Sequence, residues 1–513
     1  MTLRPAVVLL LLAGCAARGP SPQLTAEIAK AESLLREGCY TCLRESLAIY
    51  EKHLQARQPA IGIREGAFDT ALLIAIREKE LSIPGDAAMA KARQLVTPGR
   101  QVVLDAAELI IGDTAALDPE QRALVTGRNR PPLEPDNPRR RALDARPQTD
   151  LAAKYVALSI DCEQQKLIES LDMRGLIATY GGVPLMQFRL STCPRPGAPG
   201  VAVLRESNPR WTDTLYWEGR RELASSLGRA IDFPKAIGLF AQGRQAFPAS
   251  TLLTLAWANA NMAAEEFESA LSGYDAVLAV FPTHRDALSG RMQSLSYLLR
   301  HQDGIAAATR LLELGTWHIG DAYYWRAWNR YNVKEYDAAW EDAENAIKGV
   351  SNGRVFMLAG LIAYSRKTLP IAVERFDMAF TIDPSACDAT WMSGLVSIDM
   401  NDLAVAAPKF TRGMTCFTSS ARALRQDLER TETAIAARGT PATAREQRNM
   451  DRLKRDAENA DEKSAQSAFN GAQCYARTGN KLMALSHVDA AMAHPRMKDK
   501  AEQLKAAIEK LPH

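Results

Sequence analysis

What this 513-residue chain lacks narrows its function first. Its seven histidines (His53, His284, His301, His318, His487, His494, His513) are scattered, with no HExxH and no CxxC pair at zinc spacing, so no metal or cofactor is expected. There is no glycine-rich phosphate loop and no GxSxG nucleophile elbow. Carboxylates are plentiful, but they fall in helical charge patterns that favour solvation over acid–base pairing, so the chain reads as non-enzymatic. Sixty-three Lys and Arg against 60 Asp and Glu leave a formal charge of +3, which offers no electrostatic case for nucleic acid. Beyond the first residues, no apolar run approaches the roughly 20 residues that a bilayer helix needs.

What is present is a period. Pro248, Pro282 and Pro384 lie on one 34-residue grid; Ala236, Ala270, Ala372 and Ala406 lie on a parallel one, each with Phe240, Tyr274, Phe376 or Phe410 four residues behind. Small, aromatic and proline positions sharing a period indicate stacked helical hairpins. Small residues let two helices cross at about 8 to 10 Å, and a proline ends the second helix because it lacks an N–H.

The pattern resembles the tetratricopeptide repeat, with a small residue at position eight, alanine at twenty, an aromatic at twenty-four, a small residue at twenty-seven and proline at thirty-two. The unit from Gly353 matches at Gly360, Ala372, Phe376, Ala379 and Pro384; that from Thr251 at Ala258, Ala270, Tyr274 and Pro282. The unit from Cys387 keeps Gly394, Ala406, Phe410 and Gly413, and the first, from about Trp217, keeps Ala224, Ala236, Phe240, Gly243 and Pro248. Ala339 sits one step off the grid, which makes the unit from Arg285 one residue long, and a last copy from about Ser464 shows Gly471, Ala490 and Pro495. The resemblance implies an all-α fold, a TPR-type α-solenoid of antiparallel hairpins.

The N-terminal end bears a second resemblance. Arg4 precedes the apolar stretch Ala6 to Ala13, and Leu12-Ala13-Gly14-Cys15 is similar to the bacterial lipobox; an ordinary secretory signal cut near Ala16-Ala17 is the other reading. The lipobox implies residues 1–14 as a lipoprotein signal peptide, lipidation of Cys15, and residues 15–23 as a tether reaching about 25 to 29 Å at about 3.3 to 3.6 Å per residue. Several acyl groups make a durable anchor. Ala16 after the cysteine implies, by the same resemblance, the outer membrane of a bacterial cell envelope.

Export into an oxidising compartment suits the remaining seven cysteines. Cys387 and Cys416 stand near the ends of antiparallel helices, and Cys162 and Cys193 bracket another hairpin, so each couple is a disulfide candidate. Cys39-Tyr-Thr-Cys42 is open to two readings: a disulfide at the turn of the first hairpin, or a redox pair. The redox motif calls for a preceding strand, and Leu24 to Arg36 is helical in pattern; a haem site calls for histidine where Leu43 stands. Cys474 is expected to be a buried thiol.

The domain organisation that follows is divergent helical hairpins over 24–127, a Pro/Arg-rich linker over 128–149, and a hairpin region over 150–210 in which Pro184 to Leu190 admits an extended piece. Three hairpins are expected before the linker, and Arg139-Arg140-Arg141 reads as part of a solvated loop. The repeat array covers 217–419, a charged helical insertion of two long helices 420–463, and a final hairpin with a capping helix 464–513.

Function is then expected on the first-helix face. By resemblance, ligand peptides lie against positions two, five, nine, twelve and thirteen, which implies Tyr324, Trp328, Tyr331 and Asn332, then Arg354 and Tyr364, then Trp391 and Asp399, with Asn259 and Tyr297 upstream. Ala256, Gly290 and Trp325 stand where some relatives carry the asparagine and lysine that grip a C-terminal carboxylate, so that mode is not expected. The implied partner is a protein or extended peptide in the envelope; a scaffold for it leads, with a Cys39/Cys42 redox protein and a polysaccharide adaptor as alternatives.

Overall fold

The computed structural model describes residues 21–55, 61–111, 138–163, 172–193, 200–224, 231–315, 319–350, 352–439 and 441–511, so the signal peptide, Cys15 and most of the tether lie outside the described residues. Among the described residues there are helices and short 3-10 turns but no strand. The protein divides into two compact units, one ending at Ala287 and one beginning at Leu288.

The N-terminal unit opens with the hairpin α1 (Pro22–Glu37) and α2 (Tyr40–Leu54). Ser21 caps α1, so the helix begins two residues inside the expected tether, and Gly38 ends it in the left-handed conformation. A second hairpin, α3 (Ile61–Glu80) and α4 (Ala87–Leu95), follows. The third hairpin expected here is not seen among the described residues: α5 (Gln101–Ile111) packs on α3, α6 (Pro138–Asp144) and α7 (Leu151–Glu163).

Helix α6 corrects the linker reading, because Leu143 is fully buried and Arg140 is held by Asp144 and Asp161 rather than solvated. After α8 (Met173–Tyr180), Pro184 starts α9 (Pro184–Thr192) rather than an extended piece; a first-turn proline gives up only an N–H that has no helical partner. Then come α10 (Ala202–Ser207), α11 (Leu215–Leu223), α12 (Phe233–Ala246), α13 (Thr251–Ala263) and α14 (Phe267–Val280). In the α11–α12 hairpin the residue that meets the Phe240 ring is Gly219; Ala224, the expected position-eight residue, only caps α11.

A buried charge network ties this unit together. Arg77 of α3, wholly enclosed, pairs with Glu80 and, at 2.6 Å, with Asp213, and its guanidinium lies 3.7 Å from the Phe188 ring centre. Tyr155 donates to Glu80 at 3.0 Å, and Arg189 stands 3.5 Å from the same carboxylate. Burial alone would lower the Arg77 pKa; Tyr155, Glu80 and Asp213 outweigh it and hold it above its ordinary value.

The remaining helices are α15 (Arg285–Tyr297), which crosses the division, α16 (His301–Glu313), α17 (Ile319–Asn332), α18 (Tyr336–Gly349), α19 (Gly353–Ser365), α20 (Leu369–Ile382), α21 (Cys387–Asp399), α22 (Leu403–Arg438), α23 (Ala444–Arg477), α24 (Lys481–Met492) and α25 (Lys498–Glu509). From α13 onward the register is marked by left-handed turn residues Glu265, Leu299, Lys334, Lys367 and Asn401, with φ between +58° and +66°. The following N–H of each bonds a carbonyl five residues back at 2.9 Å, the helix stop known as the Schellman motif. The intervals between these residues are 34, 35, 33 and 34, so the single-residue slip lies at the α17–α18 unit, and Ala339 is buried there as that register requires.

The same marker resets the last copy. Gly479 is its turn residue, with φ +84°, which starts the repeat at Ala465 rather than Ser464. Position eight is then Ala472 and position twenty Ala484, both fully buried, so the twentieth-position alanine is in phase after all. Packing follows the pattern: a Cβ on Gly360 would lie 2.6 Å from the Phe376 ring, and one on Gly394 2.9 Å from Phe410. Enclosing each ring contributes about 1.5–3 kcal/mol. The all-α hairpin array of tetratricopeptide type is therefore what is observed.

The charged insertion is not a separate pair of helices. It lengthens α22 to 36 residues and α23 to 34, and the two run against each other as one antiparallel arm. Met450, Leu453, Ala457 and Ala460 are buried along it, Gly439 ends α22, and a Thr443–Glu446 capping box starts α23. Helix α25 closes the array by burying Ala501 and Ile508.

Candidate functional site

In the C-terminal unit, first helices α15, α17 and α19 carry a continuous aromatic run. Tyr297 meets Trp325 edge-on at 5.3 Å, Trp325 meets Tyr324 at 5.3 Å, and the exposed Arg354 guanidinium stands 5.0 Å from Tyr324 and 6.0 Å from Trp325. Such a cation over aromatic faces is attractive by about 0.5–1 kcal/mol when exposed. Tyr297 is about half exposed, whereas Trp325 is only 7% exposed and serves as the buried hub.

The expected site residues separate into three groups. Tyr324, Trp328 and Tyr331 are half-buried, resting on the alanine core of Ala327, Ala339 and Ala343, so each offers one edge to solvent. Asn332 is exposed, its amide donating to the Trp328 carbonyl at 2.8 Å. One level along, the Tyr364 hydroxyl donates to Asp399 at 2.8 Å, and this hydrogen bond pushes the phenol pKa up. Trp391 is half-buried on Ala406, Ala407 and Phe410, its indole N–H enclosed and unbonded, and the Lys463 ammonium lies 5.9 Å from its ring centre. Asn259 belongs to the N-terminal unit, where it accepts from the Tyr274 hydroxyl at 2.7 Å.

Sequence reasoning places Trp325 only as a packing residue at a clamp position. Its second role, joining Tyr297 of α15 to Tyr324 beside it on α17, needs two successive first helices in register, and no single-repeat pattern carries that signal.

The cysteines pair as Cys39–Cys42, Cys162–Cys193 and Cys387–Cys416, each with its sulfurs at bonding distance. Cys474 is a buried free thiol, its pKa pushed up to about 11 by burial. Glu37, Cys39 and Cys42 bring three potential ligand atoms within 4.8 Å of one another. With both sulfurs in a disulfide and Glu37 engaged by Asn208, the set does not fit a metal. Both cysteines are fully buried beside Leu34, Phe188 and Trp211, which closes them to an attacking thiolate.

No family model matches the protein, and no curated protein matches it. Among solved structures it is similar to MamA from Desulfovibrio magneticus RS-1, at 20% identity over 32% of this chain and 94% of that one, TM-score 0.31. It is similar to YrrB, described as a TPR protein with an unusual peptide-binding site, at 16% identity over 34% and 91%, TM-score 0.30. Yeast Tom70 aligns over 95% of this chain and 96% of its own at 14% identity, TM-score 0.33.

Proposed function

We propose that this protein is a non-enzymatic scaffold that binds a protein segment in extended conformation, held at the bacterial outer membrane through lipid on Cys15. The observation that carries the binding role is the Tyr297–Trp325–Tyr324–Arg354 run, which presents the exposed Tyr297 and Arg354 and the edge of Tyr324 around a buried Trp325. Tyr, Trp and Arg dominate binding hot spots, Tyr and Trp because they bury much area for little lost rotamer freedom and Arg because its planar fork makes several hydrogen bonds at once. The anchor rests on the Leu12-Ala13-Gly14-Cys15 sequence.

Two experiments test the reading separately. Cross-linked capture from detergent-solubilised envelope should recover a set of proteins that a Tyr297, Tyr324 and Arg354 triple alanine variant loses; identical sets from both sink the groove. Recovery of polysaccharide instead of protein would move the assignment to the adaptor reading. For the anchor, Cys15→Ser should abolish incorporation of labelled palmitate and release the protein from membranes, and continued labelling would rule the site out.

A further inference from the structure

A second cleft, in the N-terminal unit, lies outside the first-helix face. It occupies about 400 Å³ where the end of α12 meets the start of α13, near the lower end of the range of about 300–1,000 Å³ typical of ligand sites. Arg244 projects into it and lies 4.3 Å from the ring centre of Trp257. Among the described residues it has no hydrogen-bonding or ionic partner, and burial pulls its pKa below the ordinary value with no acid nearby to offset the shift.

The planarity of the guanidinium makes this arginine selective. Its five N–H groups lie in one plane, as a fork that fits a carboxylate with two parallel hydrogen bonds, and the Trp257 ring beneath it takes up none of them. Among the described residues Arg244 is the only charged one lining the cleft, so it matches a single negative charge better than a doubly charged phosphate. Beside it Ala276 and Val280, the latter 44% exposed, form an apolar shelf, and Gln245 and Thr254 line the rest.

We propose that this cleft binds a carboxylate-bearing protein segment, the carboxylate forked on Arg244 and the adjacent apolar side chain resting on Ala276 and Val280. The carboxylate belongs either to an acidic side chain or to the free C-terminus of the bound protein. Nothing in this site depends on the aromatic face of the other unit.

Calorimetric titration of the full-length protein with two peptide pairs decides it: acetyl-Gly-Val-Glu-Val-Gly-amide against its glutamine counterpart, and acetyl-Gly-Val-Val with a free C-terminus against its amide. The charged member of at least one pair should bind at least tenfold more tightly, and which pair does so identifies the source. Arg244→Gln should erase the preference, and Arg244→Lys, which keeps the charge but not the fork, should weaken it at least fivefold. Equal binding within both pairs, or a preference that survives Arg244→Gln, overturns the proposal. So does displacement of the peptide by inorganic phosphate at equal concentration. Should Arg244→Gln fail to fold, a wild-type-like preference in Arg244→Lys overturns the fork by the same readout.

Discussion

The two units hold themselves together by different means. From Leu288 onward, buried positions repeat: position twenty-four is Ala343, Phe376, Phe410 and Val488 in the hairpins that begin at Gly320, Gly353, Cys387 and Ala465, each enclosed, with the Phe376 ring on Gly360 and the Phe410 ring on Gly394. Up to Ala287, the cohesion includes a single enclosed cluster, Arg77, Glu80, Tyr155, Arg189 and Asp213, drawn from positions as much as 136 residues apart. Nearest-neighbour packing adds along an array, so damage stays local. An enclosed charge cluster is all or nothing, since removing one member strands its partners.

The largest expected effect breaks that contrast on the N-terminal side. Arg77→Ala leaves Asp213 buried without its cation and Glu80 with only Arg189, at 3.5 Å, a loss of about 3–5 kcal/mol. Hydrogen exchange should rise together across residues 61–80, 151–163 and 184–192. Loss of protection confined to α3 would mean that the cluster does not unify the unit.

The C-terminal side is sharpened by Gly394→Leu. Its added atoms meet the Phe410 ring, which a Cβ alone would approach to 2.9 Å, and overpacking of this kind costs about 1–3 kcal/mol. Exchange should rise in α21 and the first half of α22 while α17 and α18 keep their protection, and equal loss over the whole unit would refute nearest-neighbour packing.

How much of this is legible in the sequence follows the same division. Proline, alanine and aromatic positions reveal the hairpins because each repeat must solve one packing problem in the same place. The sequence pattern sets the last copy one residue early because Gly471 and Pro495 mimic it; Gly479, whose positive φ ends the first helix, is the truer marker. Arg77 and Asp213 leave no local trace, since a pairing across 136 residues has no period. In the candidate site, position numbers find Tyr324 and Arg354, but they do not show that the indole N–H of Trp391 is enclosed.

The smallest expected effect is a difference of sign with pH. In the N-terminal unit, burial pushes Asp69 up to about 7 against an ordinary 3.8, only partly offset by Arg100 at 2.6 Å, and one carboxylate oxygen lacks a partner. The folded state therefore favours the neutral acid, a stabilisation complete below about 3.8 and lost as pH rises through about 7. In the C-terminal unit His487 is buried, its Nδ1–H donating to the Met483 carbonyl at 2.9 Å and its Nε2 accepting from Thr411 at 2.9 Å. Burial lowers its pKa below 6.5, so its stabilisation is complete above that value and lost as pH falls through the lowered one. Between pH 8 and 5, thermal melting followed by exchange should show residues 61–80 gaining protection and residues 481–492 losing it. Asp69→Asn should flatten the first trend and His487→Gln the second. Trends of the same sign in both units would show that neither group sets its unit's response.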